Sequence, residues 1–142
     1  MSIICKSVLI LLLTRLTLSA EIIPSTVWEF EASGKISSSP AIGIGGVLYI
    51  GSDDGKVYSL NGQTGSLNWE FTTGGQLWSS PISDGNGTLY IGSFDHFLYA
   101  LDEELGEVKW KFETEGRLAS SVSISSAGIL FFGSYDNYVY AL

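Results

Sequence analysis

Few residues in this 142-residue chain could do chemistry, and their spacing is regular. Asp54, Asp95 and Asp136 stand 41 residues apart, each two positions after a Gly-Ser pair in a segment that reads as a hairpin turn. A ring of three such carboxylates could bind a cation. An Asp in a turn also accepts backbone hydrogen bonds and holds the turn. Recurrence in every copy favours that architectural role, because an array must repeat what its folding needs. The only histidine, His96, lies in the hairpin SFDHF with no counterpart in the other copies. It reads as a solvated turn residue rather than a base or a ligand. Asn86-Gly87-Thr88 fits a glycosylation acceptor, but Asn-Gly is equally good hairpin chemistry and is read as the turn. No nucleophile–base pair and no phosphate-cradling glycine loop is present. Catalytic, cofactor-binding and metal-binding residues are therefore all predicted to be absent.

The elements that position these residues follow from the repeat itself. YIGSDDGKVYSL (49–60), YIGSFDHFLYAL (90–101) and FFGSYDNYVYAL (131–142) are three near-copies, and the chain aligns on itself at a shift of 41 without gaps. Trp28, Trp69 and Trp110 fall in register, as do Phe30, Phe71 and Phe112, and Gly51, Gly92 and Gly133. Within each unit the apolar period is two: Trp69 and Phe71 share one face of LNWEF, and Asn68 and Glu70 the other. That is the signature of a half-buried strand. Runs such as LYI and FLYAL suit strands covered on both faces. Strands are expected at 36–42, 47–52, 56–60 and 67–71, recurring 41 and 82 residues later, with one extra Trp strand at 27–31. An ungapped period of about 40 residues rich in strand signals predicts an all-β propeller array, one four-stranded antiparallel blade per repeat.

The unit also resembles a known family. SLNGQTGSLNW (59–69) is similar to the A-x-D-x-x-T-G-x-x-x-W motif of pyrroloquinoline-quinone-type (PQQ-like) propeller repeats, with Thr64, Gly65 and Trp69 matching and Ser59 and Asn61 departing. ALDEELGEVKW (100–110) keeps Ala100, Asp102, Gly106 and Trp110 and has Leu105 for Thr. The Ser-Ser-Pro runs ending at Pro40 and Pro81 resemble the same family. The resemblance implies that Trp28, Trp69 and Trp110, with Gly65 and Gly106, dock neighbouring blades. It also raises the possibility of a quinone-dependent dehydrogenase, whose cofactor is held with calcium, an adjacent cysteine pair and an acidic base. The only cysteine is Cys5, which leaves no such pair.

Composition narrows the setting. Fifteen acids against seven basic residues give a net charge of −8. Nucleic-acid binders need a basic face to displace counterions, so nucleic acid is not an expected partner. Residues 1–20 have the layout of a secretory signal: Lys6, the apolar run 8–13, then Ser19 and Ala20. The run is shorter than the roughly 18 continuous apolar residues of a membrane span. The expected organisation is a signal at 1–20 and a propeller-repeat domain at 21–142, working outside the cytoplasm. Three blades fall short of the about four to eight of a closed ring. The expectation is a part of a larger propeller, or a unit that assembles from several copies.

Recognition should sit where the copies disagree inside a fixed frame. Position 37 is Ser, 78 is Trp and 119 is Ala; position 53 is Asp, 94 is Phe and 135 is Tyr; position 56 is Lys, 97 is Phe and 138 is Tyr. Trp78, Phe94, Phe97, Tyr135 and Tyr138 are thus the predicted protein-contact residues, aromatics being good interface anchors. Trp69 and Trp110 are expected to be buried between sheets. The function predicted is a non-catalytic binding or scaffold module with a protein partner and no cofactor. The alternative is a fragment of a quinone-dependent dehydrogenase.

Overall fold

A computed structural model describes residues 25–142; the expected signal at 1–20 lies outside them. Three antiparallel meanders follow one another along the chain. Sheet 1 contains β1 (Ala41–Ile42), β2 (Val47–Gly51), β3 (Lys56–Asn61) and β4 (Leu67–Thr72), in that spatial order. Sheet 2 repeats it with β5 (Ile82–Ser83), β6 (Thr88–Gly92), β7 (Phe97–Asp102) and β8 (Val108–Glu113). Sheet 3 has β9 (Ser123–Ile124), β10 (Leu130–Gly133) and β11 (Val139–Ala141). The register repeats with the sequence: Ile50 opposes Tyr58 in sheet 1, Ile91 opposes Tyr99 in sheet 2, and Phe132 opposes Tyr140 in sheet 3. The outer pair slips by one residue after Ser59 and again after Ala100, so even the bulge recurs.

Each sheet buries its face against the next. Tyr49 and Val57 of sheet 1 meet Leu89, Ile91, Tyr99 and Leu101 of sheet 2, with Leu77 from the linker between them. Leu98 of sheet 2 meets Leu130 and Phe132 of sheet 3 around Leu118 and Val122. The other side of sheet 1 carries Ile50, Tyr58 and Leu60, covered by Trp28, Phe30 and Ala32. Burial on both faces of the middle strands explains their continuous apolar runs.

Two strand expectations are corrected. The innermost strand is only two residues long in each sheet, not seven, and 36–40 crosses as irregular backbone. A serine hydroxyl replaces the missing ladder: Ser38 Oγ accepts from Gly51 N–H at 3.0 Å and donates to Gly51 C=O at 2.9 Å. Ser120 does the same with Gly133, both at 2.8 Å. Pro40 and Pro81 carry no amide, which removes the ladder donor just before β1 and β5. The sheets are also stitched to one another here, Ser39 N–H donating to Ser80 Oγ and Ser80 N–H to Ser121 Oγ. The second correction is that residues 27–31 form no strand ladder among the described residues. They lie on sheet 1 through their rings.

A candidate partner-binding surface

The hairpins that join the second and third strands of each sheet fall at one end of the array. Their geometry shows what the repeated acids do. Asp54 accepts from Lys56 N–H at 2.9 Å and from the Tyr58 hydroxyl at 2.7 Å. Asp95 accepts from Phe97 N–H and Tyr99 in the same way, and a further bond from Gly74 N–H, at 2.6 Å, ties it to the linker leaving sheet 1. Asp136 repeats the set with Tyr138 N–H, Tyr140 and Glu115 N–H. Burial pulls the Asp54 pKa upward, but the donors Tyr58, Lys56 N–H and Ser52 outweigh it and hold the carboxyl below its usual range. The same bond works against the phenol: burial first, then Asp95, raises the Tyr99 pKa well above that of a free tyrosine. These oxygens hold a turn, a tyrosine and, in sheets 2 and 3, the preceding sheet's linker. No group of three or more His, Cys, Asp or Glu among the described residues could hold a metal ion. The described residues do not fit a quinone–calcium site.

His96 has an equally local reason. It sits at φ +77°, where Gly55 and Asn137 have φ +82° and +73°. It is the left-handed residue that closes the hairpin, a conformation that side chains other than Gly and Asn seldom adopt.

The aromatic positions divide. Along the linker, Leu77 points inward and is fully buried, its N–H donating to Ser52 C=O at 3.1 Å. Ser79, also buried, accepts from Gly92 N–H. Alternation between these two anchors turns Trp78 outward, where it stays 45% exposed. Phe94 is brought beside it by the hairpin: its N–H donates to Gln76 C=O at 3.0 Å. Gly75 makes this approach possible, since a Cβ there would lie 2.6 Å from Asp95 N. In sheet 3, Tyr135 N–H donates to Arg117 C=O at 3.0 Å. The result is a row of rings, Trp78 to Phe94 at 4.7 Å and Phe94 to Tyr135 at 6.3 Å between centroids. The Arg117 guanidinium lies 5.4 Å from the Phe94 centroid. Tyr135 is 63% exposed.

Phe97 and Tyr138 stand apart from this row. Phe97 is half-buried on the core between sheets 1 and 2, with Lys111 Nζ 3.9 Å from its centroid. Tyr138 is exposed and its ring neighbours Tyr140. Arg117 was not anticipated, although the series Lys35, Gln76, Arg117 varies in the same manner as the aromatic positions.

The tryptophans show how the sheets dock. Trp28 Nε1 donates to Gly62 C=O and Trp69 Nε1 to Glu103 C=O, both at 3.0 Å. Their rings lie over Gly65 and Gly106, where a Cβ would come within 2.5 and 2.6 Å of the indole. Trp69 is half-buried rather than fully enclosed. Trp110, expected to be buried, is 39% exposed and touches Tyr90 of its own sheet. Trp28 and Trp69 are covered by the turns between the third and fourth strands of sheets 1 and 2, and sheet 3 has no fourth strand among the described residues.

Antiparallel sheets stacked face to face in sequence order, with the outer-strand Trp69 of the first docked on a turn of the second, define a β-propeller repeat protein. A family model described as outer membrane protein assembly factor BamB matches residues 24–142, and the chain belongs to that family. Among solved structures it is similar to the crystal structure of BamB from Moraxella catarrhalis. There the TM-score is 0.70 at 22% identity, covering 82% of this chain and 36% of that one. It is also similar to the WD40 β-propeller domain of Doa1, with TM-score 0.62 at 21% identity, covering 67% and 32%. The chain thus spans about a third of the length of each. No curated protein matches it.

Proposed function

We propose that this chain is a non-catalytic protein-binding module, one section of a larger propeller that works outside the cytoplasm. Its partner docks on the row Trp78–Phe94–Tyr135, with Arg117 beside it. The observation that carries this reading is the row itself. Three rings from two sheets are gathered at positions where folding asks for no aromatic, since the copies there carry Ser37, Ala119 and Asp53. Clustered Trp, Tyr and Arg are the residue types that dominate interface energetics, each worth about 2 kcal/mol or more when central. Support also comes from the family's description as an assembly factor. The extracytoplasmic setting is supported by the layout of residues 1–20.

The test is site-specific photo-crosslinking in the native host. A benzophenone side chain at position 78 should give one discrete protein adduct, and the same probe at position 138 should not. Phe94→Ala with Tyr135→Ala should weaken the adduct at 78 by about tenfold or more, the effect of losing two interface anchors. Equal adducts at 78 and 138, or indifference to the double substitution, would refute the assignment. Saturable binding of pyrroloquinoline quinone with calcium would instead favour the dehydrogenase reading.

A further inference from the structure

At the opposite ends of the same strands, a cleft of about 370 Å³ opens between sheets 1 and 2. Ile44, Val47 and Tyr49 line it from sheet 1. Asn86 and Gly87 of one turn, Asp102 to Glu104 of another, and Lys109 line it from sheet 2. Glu103 is 7% exposed, and both its carboxylate oxygens are buried with no hydrogen-bond partner. Two side-chain donors serve its backbone instead: the Tyr49 hydroxyl and Trp69 Nε1 both donate to Glu103 C=O, at 3.2 and 3.0 Å. Lys109, the basic residue of the cleft, is held elsewhere. Its Nζ donates to Gly87 C=O at 2.7 Å and Thr88 Oγ1 at 3.2 Å, and pairs with Asp102 at 3.3 Å. A buried carboxylate with no donor is strongly disfavoured unless it is protonated or meets a cation. The fold does not call for it, because the matching residue in sheet 1 is Gly62.

We infer that this cleft binds an alkylammonium group, the ammonium on the Glu103 carboxylate and the aliphatic stem along Ile44, Val47 and the Tyr49 ring. A calcium-like ion suits it less, since such ions take about six to eight oxygen ligands and one wall here is hydrocarbon. Burial and then the Glu103 charge push the Tyr49 pKa up to about 12, so the phenol stays neutral and adds no competing charge. This site is independent of the aromatic row. The ammonium can belong to a free amine or to a lysine side chain of another protein.

Calorimetry on the full chain separates these sources, using n-butylammonium, the peptide acetyl-Gly-Lys-Gly-amide, and n-butanol as the neutral control. Saturable binding of at least one cationic probe is expected, with none for butanol. Glu103→Gln should weaken it by about tenfold or more, and Glu104→Gln by less than about twofold, as fits loss of a buried against an exposed charge partner. Tighter binding of butylammonium assigns a free amine, and tighter binding of the peptide assigns a lysine side chain. In the unsubstituted chain, the Glu103 carboxyl carbon resonance should also move with butylammonium and not with butanol, a readout that does not depend on a variant folding. Absence of binding by both cations, or affinity unchanged in Glu103→Gln, would overturn the site.

Discussion

Replacing Trp69 by Ala removes a half-buried indole that bridges two sheets. Its ring lies on Gly106 and 5.8 Å from the Tyr49 centroid, and its Nε1 donates to Glu103 C=O at 3.0 Å. A fully buried Trp→Ala change costs about 3–5 kcal/mol. Partial exposure moves the packing loss to the lower end of that range. The broken hydrogen bond adds less than a full desolvation penalty, because the Tyr49 hydroxyl still serves the same carbonyl at 3.2 Å. The expected total is about 3 kcal/mol. Trp110→Ala, at an exposed position with no Nε1 acceptor among the described residues, should cost about 1 kcal/mol. With a urea slope near 1.5 kcal/mol/M, the two midpoints should fall by about 2 M and less than 1 M. Far-UV circular dichroism during urea titration reads this directly. Stacked repeats are coupled mainly to their neighbours. The Trp69 variant should therefore also broaden the transition as sheet 1 melts ahead of sheet 2. Equal losses for the two variants, or a larger loss for Trp78→Ala, would refute the docking role given to Trp69.

His96→Gly should be neutral or stabilising by up to about 1 kcal/mol in thermal melts, because glycine takes the left-handed turn conformation without strain; a clear loss of stability would show that the imidazole makes a contact that matters. For Asp54 the sign runs toward acid. Its folded pKa lies below the unfolded value of about 3.9, so the stability it contributes is present above that pH and is lost as pH falls through the folded pKa. Asp54→Asn should flatten the fall in melting temperature below about pH 4, and an unchanged slope would contradict the turn-clasp role.

Much of this molecule can be read along one dimension. The 41-residue period, the alternation in LNWEF and the Gly and Asn/Asp turns are local features, and each unit closes on itself by short hairpins. Strand order, hairpin register and the role of Asp54, Asp95 and Asp136 follow from residues within one repeat or its immediate neighbour. Over 36–42 the residue types do not distinguish a ladder strand from a segment held by a serine side chain, as Ser38 holds Gly51.

What only the tertiary structure decided lies between repeats. The sequence marked Trp78, Phe94, Phe97, Tyr135 and Tyr138 alike, as aromatics at variable positions. The way the linkers cross the hairpins gathered Trp78, Phe94 and Tyr135 beside Arg117 and left Phe97 on the core. Likewise three tryptophans identical in the alignment differ in surroundings, because docking needs the Gly-containing hairpin of a following sheet: Trp28 and Trp69 have one and Trp110 does not. Glu103 reads as one acid in an acidic turn, and only the seating of sheet 1 against that turn makes its carboxylate buried and unpaired. Periodicity sets which way a side chain points within its own sheet; which neighbour it meets is set by how the sheets stack.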